Sequence, residues 1–373
     1  MAASSGIPDA YGRALARLGA SVLRALEGLE AAERRLHPPD IPLLREGLGS
    51  ARERLAPALR AFEEAEVPVD LAPFHAQLAE AAGHTAKALD AFLDDAPRDR
   101  VVACILEALR ERCRAERALY PLRQALLPVG RHFVEPAFHG QLDRLDPAPT
   151  EGVSVGIHEA PGDRDGRGGF TLYVPESYDG SRAWPLVVAL HGGNGRGDEF
   201  LWTWLREARG RRFLLLAPTS GGSTWSLDAP ARDGAALESM LGFVRERWRV
   251  DEQRVLATGL SDGATFALLW GLGEGSPATA IAVVSGVLHP ANFALGNLGR
   301  ARGRRVYLAH GSLDWLFPVS LARLAREALA RAGADLVYRE IEDLSHTYPR
   351  DENDRILTWF DASLALPGAR QDP

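Results

Sequence analysis

The chain has 373 residues, with 43 basic and 50 acidic side chains and a formal net charge of −7. Hydrophobic residues make up 46% of it, so it is long enough to bury a substantial core, and we expect two domains. A net acidic chain lacks the basic footprint that nucleic-acid binding needs, so we expect no nucleic-acid partner. Lys87 is the only lysine, which excludes a Schiff-base or P-loop lysine from the second half.

Cysteine content and targeting signals both favour a cytoplasmic location. The two cysteines, Cys104 and Cys113, are nine residues apart on a predicted helix and face opposite ways, so they cannot form a disulfide within that helix. Residues 1–8 lack a charged start followed by an apolar run, and no stretch approaches the roughly 20 apolar residues of a membrane span. We therefore predict a cytoplasmic protein without a membrane span.

The first third of the chain has the pattern of amphipathic helices separated by proline. Apolar residues recur every three or four positions, and the pattern breaks at Pro38, Pro68 and Pro97. The predicted helices cover residues 10–35, 42–66, 71–94 and 98–127. Pro57 and Pro121 fall inside two of these spans and predict a kink or an early end. We predict an antiparallel bundle; the same stripes could instead form a dimer seam, and we favour packing within the chain.

This bundle carries no pattern typical of a metal or cofactor site. His75 and His84 are nine residues apart and face opposite ways, and no Glu-x-x-His pair occurs at the spacing of a di-iron bundle. The proline-containing segment 128–149 is predicted to connect the bundle to a second domain. We therefore predict a helical domain with its connector at residues 1–149 and a second domain at residues 150–373.

The second domain alternates strand and helix patterns. It begins with a predicted hairpin of residues 153–158 and 169–174, whose Asp-containing loop lacks the terminal glutamate of a calcium loop and is interpreted as a turn. Further strands are predicted at residues 185–190, 213–217, 254–258, 279–285, 305–310 and 335–341, with helices such as 234–248 and 319–332 between them. This alternation predicts an α/β fold with a mostly parallel sheet and helices on both faces.

A G-x-S-x-G pentapeptide, Gly259–Gly263, follows the strand predicted at 254–258 and precedes an apolar helical stretch. A strand–turn–helix of this kind exposes a serine on a sharp turn, and the two glycines allow the backbone to take that turn. Ser261 is therefore the predicted nucleophile.

Two further polar residues follow in the order acid, then histidine. Asp314 comes just after the strand at 305–310, and His346 lies in the loop after the strand at 335–341. The order Ser, Asp, His and the positions beyond strand ends are typical of one arrangement of the catalytic triad. Asp343 is a competing candidate for the acid, but it follows the last strand, and we favour Asp314.

A His-Gly-Gly loop after the strand at 185–190 is predicted to supply part of an oxyanion hole. Backbone N–H groups of Gly193 and of Asp262, the residue after the nucleophile, are the expected donors, with Gly192 or Asn194 as the adjacent alternatives. His191 and His310, which stand at strand ends, are interpreted as structural residues.

Together these motifs resemble the α/β-hydrolase superfamily, and within it phospholipase/carboxylesterase-like or polyhydroxybutyrate-depolymerase-like and feruloyl-esterase-like serine esterases. The motifs that carry the resemblance are Tyr173–Pro175, Pro185–Asn194, Gly259–Gly263, His310–Asp314 with Pro318, and Ser345-His346. The resemblance spans roughly residues 153 to 366 and implies carboxylic-ester hydrolysis without a cofactor or metal. The chain departs from the pattern at Asp262, where many relatives have glutamine or another neutral residue, and in lacking the disulfides and export signal of secreted depolymerases.

Several loop tryptophans are candidates for the wall of a substrate pocket. Trp225 follows a predicted strand end and Trp315 follows Asp314, so we predict that these two bind an acyl or aryl group of a small-molecule ester. A core or surface role for each tryptophan is the open alternative. Two alternatives to an esterase stay open: a thioesterase or acyltransferase with the same triad, and a catalytically idle scaffold whose helical domain recruits a partner.

Overall fold

The computed structural model describes residues 9–95, 97, 100–162 and 167–368. The chain divides into two compact units, residues 1–133 and 134–373. This division falls sixteen residues before the boundary predicted at 149/150, so most of the segment predicted to be a connector lies with the second unit.

The first unit is helical and is held together by apolar stripes. Its helices are α1 Asp9–Arg34, α2 Ile41–Glu63, α3 Ala72–Leu93, α4 Val101–Leu119 and α5 Leu127–His132. On α1 the buried residues include Leu18, Val22 and Leu29, at the three-to-four-residue spacing that puts them on one face. Helix α1 packs along α2, and α3 packs along α4. Helices α1, α2 and α3 coincide with the predicted ones to within a few residues, whereas α5 falls almost wholly in the segment 128–149 that was predicted to be a connector.

Proline has different effects at the two internal positions singled out from the sequence. Pro57 lies inside α2, which continues beyond it to Glu63. Helix α4 ends at Leu119, and a 3₁₀ turn at Tyr120–Arg123 follows, because Pro121 lacks the N–H that the next helical hydrogen bond requires. The predicted helix 98–127 is therefore shorter than expected, and residues 98 and 99 lie outside the part of the chain that the structure describes.

Residues 134–149 are anchored to the second unit by a small core and two ion pairs. Val134, Phe138 and Leu145 form a buried cluster against which Leu366 packs. Glu135 binds Arg211 with both carboxylate oxygens, and Asp146 binds Arg209. Because both arginines are buried, these carboxylates neutralise charges that water cannot reach.

The second unit is built on one sheet of eight strands in the described part of the chain. The strands are β1 Gly156–Ala160, β2 Phe170–Val174, β3 Trp184–Leu190, β4 Leu214–Pro218, β5 Val250–Leu260, β6 Ala280–Val284, β7 Arg305–Gly311 and β8 Asp335–Ile341. Their order is β1-β2-β4-β3-β5-β6-β7-β8, antiparallel for β1, β2 and β4 and parallel from β4 onward. Strands β3 and β4 are buried along their whole length, which explains their uninterrupted apolar sequences. The loop residues 163–166 of the predicted hairpin lie outside the described residues.

Nine helices accompany the sheet in the described part of this unit. They are α6 Leu142–Leu145, α7 Gly197–Phe200, α8 Leu205–Arg211, α9 Ala231–Arg247, α10 Asp262–Gly271, α11 Ala291–Ala294, α12 Asn297–Arg300, α13 Val319–Arg331 and α14 Asn353–Phe360. Helix α8 connects β3 to β4, which lies on one side of β3 in the sheet. Helices α9, α10 and α13 connect β4 to β5, β5 to β6 and β7 to β8, and these connections run toward the other side. Right-handed crossovers then put α8 on one face and the other three on the other face. The predicted fold class is confirmed.

Candidate active site

Ser261 stands on a strained turn between β5 and α10. Its backbone has φ 57° and ψ −121°, a conformation that non-glycine residues rarely adopt. The flanking glycines are required by close backbone contacts: a Cβ at Gly259 would lie 2.8 Å from the Leu190 carbonyl oxygen, and one at Gly263 would lie 2.3 Å from it. The G-x-S-x-G pattern thus follows from packing of this turn against the end of β3.

His346 and Asp314 are brought to Ser261 by two loops that follow separate strands. His346 Nε2 lies 2.9 Å from Ser261 Oγ. On the other side of the ring, His346 Nδ1 lies 2.9 Å from Asp314 Oδ2 and 3.0 Å from Oδ1. The three residues, which are 53 and 32 positions apart in the chain, therefore form one continuous hydrogen-bonded series.

The carboxylate of Asp314 is buried and densely hydrogen-bonded. Backbone N–H groups of Leu316 and Phe317 donate to Oδ1 at 3.0 and 2.8 Å. Burial raises the pKa of Asp314, but hydrogen bonds from His310, His346 and the Phe317 N–H outweigh it and hold that pKa well below the ordinary value. Asp314 is therefore ionised at neutral pH.

His310 forms a second contact with Asp314 that the sequence did not reveal. It is 1% exposed, and its Nε2–H points at the Phe317 carbonyl oxygen, 2.7 Å away, and at Asp314 Oδ2, 3.2 Å away. One N–H shared by these two acceptors ties the 314–317 turn to the end of β7. The four-residue spacing of His310 and Asp314 across a tight turn was the available sequence signal for this contact.

Asp343, the competing candidate for the acid, has a different environment. Its side chain is exposed to solvent, whereas that of Asp314 is buried. His346 Nδ1–H donates to both carboxylate oxygens of Asp314. Geometry thus favours Asp314 as the partner of His346.

The loop after β3 passes beside Ser261. A Cβ at Gly192 would lie 3.5 Å from Ser261 Cβ, so the loop backbone runs along the nucleophile. The N–H of Asn194, one of the alternative donors, is bound to the Ser223 carbonyl oxygen at 2.7 Å, which leaves it unable to face substrate. The N–H of Gly193 has no hydrogen-bond acceptor among the described residues. The N–H of Asp262 is the first of helix α10, and an N–H at that position has no acceptor within its own helix.

His191 supports this loop and is held neutral. Burial lowers its pKa to about 4. Its Nδ1–H donates to the Gly192 carbonyl oxygen at 2.6 Å, and its Nε2 accepts from the Ser220 N–H at 3.0 Å. The ring therefore clamps two loops together, and neither nitrogen faces Ser261.

The two tryptophans predicted to bind substrate differ sharply in accessibility. Trp225 is 3% exposed, its Nε1–H donates to the His191 carbonyl oxygen at 2.8 Å, and its ring stacks on Phe266 with the centroids 5.1 Å apart. This placement does not fit the prediction that Trp225 lines a pocket, because the buried ring supports the loop that follows β3. Trp315 is 48% exposed beside Asp314 and is accessible to a ligand.

Asp262 places a carboxylate against the same loop. Thr224 Oγ1 donates to Asp262 Oδ2 at 2.5 Å. That oxygen also lies 2.8 Å from the position that a Cβ on Gly193 would occupy, so the carboxylate fills the space above the Gly193 backbone. The Thr224–Asp262 pair therefore fixes the relative position of the two predicted oxyanion donors, and sequence patterns gave no indication of Thr224.

Neither a metal cluster nor a membrane span is found in the part of the chain that the structure describes. Among those residues no group of three or more His, Cys, Asp or Glu side chains is arranged to hold a metal ion. None of the helices in the same ranges is both long and apolar enough to cross a membrane.

The strand order, the strained serine between β5 and α10, and the acid and histidine beyond β7 and β8 define an α/β-hydrolase fold. A family model described as Phospholipase/Carboxylesterase matches residues 236–364, about a third of the chain. The resemblance inferred from the motifs is confirmed by this match. The matched segment contains Ser261, Asp314 and His346 and begins after the Gly193 loop and Thr224.

Solved structures with similarity to this chain include three esterases. A thermostable esterase is 19% identical with a TM-score of 0.46, over 55% of this chain and 62% of that protein, which is less than two thirds of its length. Esterase PE8 is 21% identical with a TM-score of 0.42, over 55% of this chain and 98% of that one. Thermogutta terrifontis esterase 2, phosphorylated by paraoxon, is 18% identical with a TM-score of 0.45, over 57% and 96%. No curated protein sequence matches the chain.

Proposed function

We propose that the protein is a serine esterase that hydrolyses a small-molecule carboxylic ester through an acyl-enzyme on Ser261, without a cofactor. The observation that carries this proposal is the continuous hydrogen-bonded series from Ser261 Oγ through His346 to Asp314. A serine hydroxyl is a weak nucleophile by itself, and a neutral imidazole within 2.9 Å can take its proton as the oxygen attacks.

In the first half of the reaction Ser261 Oγ attacks the ester carbonyl carbon and its proton passes to His346 Nε2. The resulting imidazolium is stabilised by the ionised Asp314, which also holds Nδ1–H in the tautomer that leaves Nε2 free to accept. The oxyanion would be held by the Gly193 and Asp262 N–H groups. His346 then donates its proton to the leaving oxygen as the carbon–oxygen bond of the ester breaks.

In the second half a water molecule replaces the alcohol. His346 removes a proton from the water, the hydroxide oxygen adds to the acyl carbon, and the bond to Ser261 Oγ breaks as Oγ regains a proton from His346. The carboxylic acid is released and the starting state is restored. Trp315, beside Asp314 and accessible to solvent, is proposed to contact the acyl or leaving group.

Covalent labelling tests this assignment directly. A fluorophosphonate should modify one serine, and peptide mapping should place the adduct on Ser261. Ser285 is a matched internal control, because it also follows a strand end with positive φ but is fully buried. An adduct on Ser285, or no adduct on a folded protein, would contradict the proposed nucleophile.

A thioesterase or acyltransferase would use the same residues, and steady-state assays separate these alternatives. Comparing kcat/KM for matched oxygen and sulfur esters measures the leaving-group preference, and adding a competing alcohol reveals acyl transfer as a new ester product. A catalytically idle scaffold would give no label and no turnover.

A further inference from the structure

A cavity lies at the amino-terminal ends of the parallel strands, away from the proposed active site. It has a volume of about 390 Å³ and lies beside the beginnings of β3, β4 and β5. Ser261 follows the opposite end of β5, so the sheet separates the two sites. The volume is within the range of small-molecule sites and far too small for a polymer.

The lining of this cavity is rich in arginine. Of the described residues that line it, five are arginines and none is aspartate or glutamate, although acidic residues outnumber basic ones in the whole chain. The five are Arg144, Arg182, Arg211, Arg212 and Arg254. Their guanidinium groups supply many N–H donors in fixed planar geometry.

Two of these arginines are already paired and form rigid parts of the wall. Arg211 binds Glu135 and donates to the Leu364 carbonyl oxygen at 3.0 Å. Arg254 binds Asp251 and Asp361 at 2.7 and 2.9 Å. Their charges are therefore largely balanced within the fold.

The other three guanidinium groups are not balanced in this way. Arg144, Arg182 and Arg212 form no ion pair with a carboxylate among the residues that the structure describes. Arg182 stands 5.9 Å from the Trp184 ring centroid. The nearby Asp179 accepts hydrogen bonds from Ser181 and feels the charge of Arg182 without forming an ion pair with it, and both effects lower the pKa of Asp179. Three arginines without a carboxylate ion pair among the described residues therefore line one cavity.

Arg212 adds a backbone observation that points the same way. It ends helix α8 in the left-handed conformation, φ 64° and ψ 64°, a position usually taken by glycine. A side chain there strains the backbone, because its Cβ is crowded by the carbonyl oxygen that follows. A strained residue whose side chain lines a cavity indicates a use for that side chain.

We propose that this cavity binds a compact polyanion that carries phosphate groups, held by Arg144, Arg182 and Arg212. The fork of each guanidinium matches two phosphate oxygens, and a diphosphate carries enough negative charge to balance three arginines. The ligand is either inorganic diphosphate or the diphosphate end of a small organic molecule. The proposal does not depend on the esterase activity.

Titration calorimetry of the full chain at low ionic strength tests this site with inorganic pyrophosphate and, separately, with ADP as an organic diphosphate. We expect binding of at least one of them to the parent protein. Arg212→Gly should weaken binding about tenfold or more, because one charge-assisted contact is lost. Glycine adopts the left-handed backbone conformation at this position without strain, so the fold should be kept. Arg144→Gln with Arg182→Gln should weaken it further.

The control is Arg302→Gln, which removes one exposed arginine charge elsewhere on this unit. Its affinity should stay within about twofold of the parent, and thermal melting of every variant should confirm folding. Tighter binding of ADP than of pyrophosphate would identify an organic ligand, and the reverse an inorganic one. Absence of binding of both probes at millimolar concentration, or equal weakening by Arg302→Gln, would overturn the proposal.

Discussion

Backbone strain is distributed very unequally between the two units. Four non-glycine residues with positive φ occur in the described chain, and all of them, Asn194, Arg212, Ser261 and Ser285, lie in the second unit. The helical unit, over residues 9–95, 97 and 100–133, has none and is stabilised by regular burial of leucine and alanine stripes. Strain persists only where surrounding structure enforces it, and it concentrates at sites of function.

Three of the strained residues lie at or near the proposed active site. The fourth, Arg212, lines the cavity at the amino-terminal ends of the strands, which we call the arginine cavity. Asn194, Ser261 and Ser285 follow the carboxyl ends of β3, β5 and β6. The helical unit is thus built from relaxed, regular backbone, whereas the second unit tolerates unfavourable conformations where geometry must be exact. This contrast predicts which substitutions affect turnover and which affect only folding.

The largest expected effect separates two strained serines. Ser261→Ala should lower kcat for p-nitrophenyl acetate by about 10⁵- to 10⁶-fold, because the nucleophile is lost. Ser285→Ala, at an equally strained strand end, should change kcat less than about threefold. Retention of turnover by a folded Ser261→Ala protein would show that Ser261 is not the nucleophile.

The next largest effect distinguishes the two candidate acids. Asp314→Asn should lower kcat by about 10⁴-fold, since His346 loses the group that fixes its tautomer. Asp343→Asn, a change at an exposed carboxylate, should have little effect. Because the pKa of Asp314 is lowered, the stability that its charge contributes is present at neutral pH and is lost only as pH falls below the ordinary value of 3.8. A more damaging Asp343→Asn would reverse the assignment.

Two truncations test where the units divide. A fragment of residues 134–373 should fold and keep the proposed esterase activity, because it contains the candidate triad together with Glu135 and Asp146, which bind the buried arginines. A fragment of residues 150–373 lacks Glu135 and Asp146, so Arg211 keeps Asp354 at 2.9 Å and Arg209 keeps Glu176 at 3.9 Å as carboxylate neighbours. We expect the loss of each buried pair to cost about 1–3 kcal/mol. Urea unfolding of the two fragments measures the difference. Equal stability would mean that residues 134–149 are a connector after all.

A buried carboxyl group on α8 offers a pH-dependent test of stability without a change in turnover. Burial, and then the nearby Glu135, raise the pKa of Glu207 from 4.5 to about 7. The folded state therefore binds a proton that the unfolded state releases, and stability falls as pH rises from about 5 to 7. Glu207→Gln should raise the free energy of unfolding at pH 8 by about 1–3 kcal/mol and by much less at pH 5. A pH-independent difference would contradict this.

The smallest expected effect concerns the support of the oxyanion loop. Thr224→Val keeps the shape of the side chain but removes the hydroxyl that donates to Asp262, and we expect kcat to fall about tenfold with KM nearly unchanged. Thr279→Val, which removes a hydroxyl bound to the Val255 carbonyl oxygen in the middle of β5, is the control. An unchanged kcat for Thr224→Val would show that the pair has no positioning role.

The fold and the candidate triad could be predicted from sequence because their signals are local. The 3.6-residue stripe of α1, the apolar run of β3 and the pentapeptide around Ser261 each reflect packing within a few neighbouring residues. The partnership of His310 with Asp314, the support from Trp225 and Thr224, and the ion pairs of Arg209 and Arg211 depend on which loops meet in space. No periodicity encodes such long-range contacts, so sequence patterns predict a pocket wall at Trp225 and a connector at residues 128–149.

Lysine usage gives the two units different chemical reactivity toward amine reagents. Lys87 lies exposed on α3 of the helical unit, and it is the only lysine in the chain. A fluorophore or a surface coupled through lysine side chains will therefore attach to the helical unit alone and will leave every side chain near Ser261 and near the arginine cavity unmodified. The chain can be immobilised through a single side chain, with both proposed sites on the unmodified unit, and no engineered handle is needed.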